Sequence, residues 1–386
     1  MQLKTILTFP VETVTLLYKD GKFVDEEMAQ FVYDEYARGH SFFTYISDTV
    51  DSIASCCRLK NQIHTKEFSF TNGNVGIELG SKSVITFNLN RLIQAWYRKE
   101  CDKRDVDSFS FDDSCYNSLK KYLVKLTDRV YKYHHAYNEL LWDMYDANLL
   151  PAYRAGFIDL NKQYLTLGLN GLNQAAEFLG IECNVNDKYS KFCQEIFSFF
   201  KEQNELHKDK ESKHHLIFNT EQVPAESLGA KNYKFDKEDG YWVPSDTNLY
   251  ASYVFKPNDS NVTVLDKIKM HGGNYIGEYL DGGSACHLNL DSHLTSKQYE
   301  LLLNYAAREG CSYLTFNIPM TECRDCGKIV NIPVDKCPDC GSDHLWYATR
   351  IIGYLTKVAN WNSNRQKEFE TRVFGDKGSY KTYKAK

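Results

Sequence analysis

The chain has 386 residues, a hydrophobic fraction of 42% and a net charge of −5 at neutral pH, so it is long enough to bury a large core in one domain or two. Its aromatic fraction of 14% and only 8 prolines argue against long disordered tracts. The acidic balance gives no electrostatic case for bulk binding to nucleic acid or to an anionic membrane, and no apolar run approaches the length of a membrane span.

The N-terminal run MQLKTILTFPVETVTLL is interrupted by Pro10 and Glu12 and lacks a small-residue cleavage site, so no signal peptide is expected. Residues 12–24 alternate apolar and polar around Asp20-Gly21, the pattern of two strands joined by a tight turn. Asp25 caps a helix through about Arg38, with acidic residues in its first turn. Phe42 to Ile46 reads as a buried strand, followed by the loop SDTVDSIASCCRLKNQ with adjacent Cys56 and Cys57 before Arg58.

Residues 84–89, VITFNL, predict a strand, and a helix follows from Arg91 to about Lys99. A long helix is expected from Asp112 to about Tyr145, with Leu119, Tyr122, Leu123, Leu126 and Val130 on its core-facing stripe. TLGLNGLNQAAEFLG (166–180) reads as a glycine-rich turn running into a helix stopped by Gly180. Residues 186–206 predict another helix, with 201–215 as its charged tail. Residues 216–230 read as strand, loop and helix start, with Pro224 in a first turn.

Residues 249–256, LYASYVFK, are strand-like, and 274–290 reads as two strands around a Gly282-Gly283 loop. An amphipathic helix over 296–309 and a buried strand over 311–318 complete the series. Strands alternating with helices predict an α/β architecture.

The most specific signal is ECRDCGKIVNIPVDKCPDCG, in which Cys323/Cys326 and Cys337/Cys340 form two Cys-x-x-Cys pairs ten residues apart, each followed by a glycine. Tetrahedral zinc takes four thiolates, and two such turns each present two sulfurs to one ion. Four sulfurs leave no open coordination position, so the expected zinc is structural. With no export signal and the remaining cysteines mostly scattered, a reducing cytoplasm is expected.

Beyond the knuckle, RIIGYLTKVANWNSNRQKEFETR resembles the radical-bearing C-terminus of the anaerobic (class III) ribonucleotide reductases, whose pattern is R-V-C-G-Y-L, then W-N and a charged helix ending in arginine. Arg350, Gly353, Tyr354, Leu355, Trp361, Asn362, Glu368 and Arg372 match it; Ile352 replaces the cysteine common before the glycine, and Arg365 stands where a lysine is common. A turn is the ordinary reading of a lone glycine. Within this resemblance, Gly353 is the glycyl radical residue. Removing a Cα hydrogen leaves a planar radical delocalised into the flanking amides, which a side chain would crowd.

DTVDSIASCCRLKNQ followed by GSKSVITFNLNRL resembles the family's finger loop, whose thiyl cysteine directly precedes arginine. That maps to Cys57, with Cys56 as runner-up; two buried thiols are the structural alternative. FPVETV, TLGLNGLNQAAEFLG, NTEQVPAESL, DGGSACHLNL and YLTFNIPMTECRDCG also resemble class III segments in the family's order. Asn88 and Glu226 match polar positions of the substrate cavity, although a strand-end amide and a first-turn carboxylate are the plain readings of each.

The resemblance implies the C-terminal half of a glycyl-radical-enzyme α/β barrel over 1–318, with a cysteine finger loop near 47–60. A zinc ribbon and glycyl radical domain would occupy 319–386. It implies anaerobic reduction of ribonucleoside triphosphates to deoxyribonucleotides. A radical S-adenosylmethionine activase with an iron–sulfur cluster would generate the radical, and formate or a dithiol would be the reductant. The region that the family places before the FPV segment is expected on a separate N-terminal half, from a split or truncated chain, and a homodimer is expected. An inactive fragment, a glycyl-radical lyase and a zinc-ribbon nucleic-acid-binding module are the alternatives; the acidic charge argues against the last.

Overall fold

The computed structural model describes residues 6, 12–48, 52–54, 60–62, 80–101, 111–223, 227–277, 279–350, 353, 355–376 and 379–385. It opens with β1 (Thr13–Lys19) and β2 (Lys22–Phe23), an antiparallel pair turned at Asp20 and Gly21 with φ of 52° and 81°. Two positive φ values in sequence suit a primed hairpin turn. Helix α1 (Glu26–Ala37) is capped by Asp25, whose carboxylate accepts the Met28 amide at 2.8 Å. Next come β3 (Phe43–Ser47) and a short antiparallel ribbon of β4 (Ser52–Ala54) and β5 (Lys60–Gln62), in which Ala54 pairs with Lys60.

Strand β6 (Gly80–Asn88) leads into α2 (Leu89–Cys101), the long α3 (Cys115–Asp146) and the single turn α4 (Pro151–Arg154). Then follow β7 (Gln163–Asn170), α5 (Leu172–Phe178), α6 (Asp187–His207), β8 (Phe218–Gln222), α7 (Leu228–Glu238) and α8 (Val264–Met270). The series ends with β9 (Cys286–Asn289), α9 (Ser296–Glu309) and β10 (Tyr313–Asn317).

These strands form one arc. β6, β7 and β8 run parallel, and Glu221 of β8 bridges in parallel to Gly283, three residues before β9. β9 is parallel to β10, β10 antiparallel to β3, and β3 parallel to β1. Among the described residues the arc does not close, and β6 pairs with β7 alone.

The two faces of the arc differ. Leu165, Leu167 and Leu169 of β7, Cys286 and Leu288 of β9, and Leu314 and Phe316 of β10 join the main core with the helices. By strand alternation, the residues between them line the opposite, inner face. There Phe43, Tyr45, Ala285 and Tyr313 form a separate cluster. The polar groups of that face pair along it: Thr166 Oγ1 donates to the Asn219 side-chain oxygen Oδ1 at 2.7 Å, and the Asn317 side-chain amide meets His287 Nδ1 at 3.2 Å. Gly282 sits where a Cβ would lie 2.3 Å from the Thr220 carbonyl oxygen, so only glycine lets this segment close on β8.

Beyond the arc lies a second sheet of order β12-β11-β13-β14, made of β11 (Met320–Cys323), β12 (Ile329–Val330), β13 (Leu345–Arg350) and β14 (Leu355–Lys357). Helix α10 (Ser363–Thr371) follows. Its core is its own: Tyr347, Val358, Trp361, Phe369 and Phe374.

Three expectations are corrected. Residues 166–170 are strand, not turn: Gly168 lies in the middle of β7, where a Cβ would meet Thr86 Oγ1 at 2.5 Å and Val223 Cγ1 at 2.6 Å. Residues 249–256 form no strand. Leu249 to Phe255 are buried in unbroken succession, so the segment is wrapped on all sides and has no single face for an alternating pattern to express. The first half of 274–290 winds in turns, with the amides of Tyr275, Ile276 and Gly277 all donating to the Gly272 carbonyl. No helix among the described residues is long and apolar enough to cross a membrane.

Candidate functional site: a four-cysteine knuckle and a tethered glycine

The two cysteine pairs fold into two matching turns. The Gly327 amide donates to the Cys323 carbonyl at 3.0 Å and the Gly341 amide to the Cys337 carbonyl at 2.9 Å. Both glycines have positive φ, 74° and 72°, a conformation a side chain would strain. The turns face each other, with sulfurs 3.6 Å apart for Cys323/Cys340 and 3.5 Å for Cys326/Cys337, and all four lie within 4.8 Å of one another. Zinc–sulfur bonds of about 2.3 Å put tetrahedral thiolates about 3.8 Å apart, so the donor set fits a four-coordinate ion. Backbone amides at Cys340 and Asp339 push the Cys337 thiol down to about 7, while burial and the neighbouring sulfurs push Cys326 and Cys340 up, so the four thiols give up their protons together only when a cation replaces them.

β13 carries the chain from the knuckle to Arg350, which pairs with Leu355 of β14, so Gly353 lies in the short connection between them. The hairpin is tied back to the knuckle. Lys357 bonds Glu322 of β11 at 2.7 Å, and Trp346 lies between the Arg324 and Lys357 cations at 4.7 Å and 4.0 Å.

Arg350 is the centre of this region. It is 2% exposed. Its guanidinium donates to the Gly353 carbonyl at 2.8 Å and to the Ser41 carbonyl at 2.9 Å, and lies 4.6 Å over the Phe43 ring of the inner face. Burial pushes its pKa down to about 10. From behind, Arg372 donates to the Arg350 carbonyl at 3.0 Å. Arg372 and Arg365 both hold the Glu368 carboxylate, at 2.7 Å and 3.0 Å. Burial raises the pKa of Glu368, but the two arginines outweigh burial and hold it below the usual carboxylate range.

Asn88 ends β6 opposite Asn170. Its amide nitrogen donates to both oxygens of Asp236 at 3.0 Å, and its oxygen accepts the Arg91 amide at 3.2 Å, capping α2. Asp236 also takes bonds from Arg91, Asn90 and Tyr250, so Asn88 belongs to a buried network on that carboxylate. Cys56, Cys57 and Glu226 lie outside the described residues. The four cysteines come together, and Gly353 is joined to the arc through Arg350.

Sequence reading overlooked the cluster of Asn317, Asn289 and His287, in which the Asn317 amide also donates to the Asn289 oxygen at 3.2 Å. A signal was present: TFN88, LGLN170, HLN289 and LTFN317 each place an asparagine as the last residue of a parallel strand.

A mixed, mostly parallel α/β arc followed by a four-thiol knuckle and a tethered glycine defines the class. The chain matches the anaerobic ribonucleoside-triphosphate reductase family over residues 1–374. It belongs to that family. Among solved structures, an anaerobic ribonucleotide reductase superposes with a TM-score of 0.75 at 26% identity, covering 96% of this chain and 55% of its own. The Thermotoga maritima anaerobic ribonucleotide reductase in complex with dATP and CTP gives 0.74 at 27% identity, covering 94% of this chain and 56% of its own. The same enzyme with glycerol in the active site gives the same values. The chain thus spans little more than half the length of these relatives. No curated protein matches it in sequence.

Proposed function

We propose that the chain carries the radical-bearing part of an anaerobic ribonucleoside-triphosphate reductase. Residues 1–318 would form part of the barrel, with the finger loop near 47–60, and 319–386 the zinc ribbon and glycyl radical domain. A radical S-adenosylmethionine activase with an iron–sulfur cluster removes a hydrogen atom from Gly353 Cα. The Cys57 thiol then gives its hydrogen to that carbon and becomes a thiyl radical, which takes the 3′-hydrogen of the ribose. The 2′-hydroxyl takes up a proton and leaves as water; formate, oxidised to CO2, or a dithiol, oxidised to a disulfide, supplies two electrons and the hydrogen gained at C2′, and the sulfur returns the abstracted hydrogen atom to C3′. Asn88 and Glu226 are assigned to the polar wall of the substrate cavity. Zinc on the four cysteines holds the segment that carries the glycine. The protein's share is to position these groups and exclude water.

One observation carries the reading. A single buried guanidinium links the Gly353 carbonyl to Ser41, two residues before β3, and lies on an inner-face ring. This supports a glycine aimed at the concave side of the arc, and β3 leads on to the ribbon whose connection contains Cys57. Among the described residues β6 presents an unpaired edge, which suits a separate N-terminal half completing the barrel. A homodimer in the cytoplasm is the assembly proposed.

The test is anaerobic activation of the zinc-loaded chain together with a candidate N-terminal half. Gly353 should give an electron paramagnetic resonance doublet, and brief air exposure should release, under denaturing conditions, a peptide covering 354–386. Gly353→Ala should abolish both while retaining zinc. Cys57→Ser should keep the radical and stop turnover; continued turnover would move the thiyl role to Cys56. An intact denatured mass after air exposure of an activated sample would sink the assignment.

A further inference from the structure

Arg350 is an unusual buried cation. It is 2% exposed, yet its two side-chain hydrogen bonds go to neutral carbonyls, those of Gly353 and Ser41, and its Nε is buried without a partner. Among the described residues no carboxylate lies at ion-pair distance from it. In sequence Arg350 lies 309 residues from Ser41 and only three from Gly353. One side chain therefore joins the hairpin connection to the wall of the arc.

The two ends of this joint differ in strength. Its base is fixed: the Arg350 carbonyl accepts from Arg372, which is itself held by the ionised Glu368. Its tip makes bonds from a charged donor to neutral acceptors, weaker than a paired carboxylate and free of the strong cost of leaving an anion behind. Such a contact can be released and remade while the base stays in place.

We infer that Arg350 is a positioning residue, a latch that holds Gly353 by its carbonyl against the entry of β3 and opens when the glycine is presented for hydrogen abstraction. The inference rests on the reading of Gly353 as the radical residue. It also has an electronic side. The carbonyl that Arg350 grips is conjugated with the Cα that would carry the unpaired electron, so a charged donor there draws spin density toward the oxygen.

The experiment uses the zinc-loaded full chain and the variants Arg350→Gln and Arg350→Lys. Without activation, hydrogen–deuterium exchange of the 353–357 amides should rise about 10–100-fold in Arg350→Gln, the shift expected from losing one charge-assisted bond or two. Arg350→Lys, which can still reach one carbonyl, should fall between this and the unaltered chain. Exchange in β10 and α9 should not change. After activation together with the candidate N-terminal half, Arg350→Gln should form the radical at least as fast as the unaltered chain, show an altered doublet splitting and turn over more slowly.

Unchanged exchange at 353–357 in both variants would overturn the latch, as would a rise spread equally over β10 and α9. An unaltered splitting would remove its electronic side. Absence of a doublet in the unaltered chain would instead refute the radical reading, while the exchange comparison would still decide whether the latch exists.

Discussion

Glu368→Gln probes the base on which Arg350 stands. Arg365 and Arg372 have side chains 1% exposed, and the carboxylate between them is 6% exposed. Removing one partner from a buried ionic group costs about 3–5 kcal/mol, because the remaining charge stays out of water. Glutamine keeps the shape and one good acceptor, so the lower figure applies, here with two cations left on a neutral amide. A loss of about 3 kcal/mol corresponds to roughly a hundredfold rise in local opening of α10. Hydrogen exchange over 363–372 in zinc-loaded protein reads it directly. The pH dependence follows from the lowered carboxyl. The stabilisation is present above the ordinary carboxylate pKa and is lost as pH falls through the depressed folded value. Local opening of α10 in the unaltered chain, read as exchange relative to the intrinsic amide rate at each pH, should therefore rise in acid below the usual carboxylate range, and the variant should lack that step. A rise of less than threefold at neutral pH would refute the reasoning.

Zinc should bind with one ion per chain, and its cobalt(II) replacement should show the thiolate charge-transfer band of a four-sulfur site; chelation should loosen 320–350 while β7 and β10 keep their exchange protection. Gly282→Ala should destabilise the chain by about 1–3 kcal/mol in urea unfolding, because the new Cβ would lie 2.3 Å from the Thr220 carbonyl oxygen; an unchanged midpoint would count against the close approach. His134, pushed down to about 4 by burial against β7, should lower stability as pH falls from about 6.5 toward 4, by up to about 1.4 kcal/mol per unit. His134→Gln should flatten that slope, and equal slopes in both proteins would refute the assignment.

The parts of the molecule legible in the sequence are those ruled by short-range chemistry. Asp20-Gly21 predicted its hairpin because two residues of positive φ are needed there, and Asp25 predicted α1 because a carboxylate satisfies the free amides of a first turn. The cysteine spacing predicted a site that needs only two turns and one ion. Gly168 misled because its reason lies far away in the chain: Thr86 on one side and Val223 on the other leave no room for a Cβ, so the glycine marks crowding, not a bend. Residues 249–256 misled for a related reason, since burial on every side imitates a strand without a ladder. At the site, Arg350 was read as one letter of a motif. Its bond to Ser41 spans 309 residues, and no local pattern announces it. Asn88 shows the reverse: its place at a strand end was readable, while its cap on α2 and its link to Asp236 were not.

The hairpin that carries Gly353 is held on both sides of that residue by different means. Upstream, β13 belongs to the knuckle sheet. Downstream, β14 pairs back onto β13, Val358, Trp361, Phe369 and Phe374 form one apolar cluster with Tyr347, and the Gly375 amide donates to the Asn289 carbonyl at 3.0 Å. A chain severed at Gly353 would therefore be nicked without coming apart. Its C-terminal piece would stay docked like a cut thread still woven into the cloth, so a protein silenced by air would pass through a sizing column at its original volume. Such material would keep its four-cysteine knuckle and its sheet. Damage of this kind would escape any measurement of size made on the folded protein.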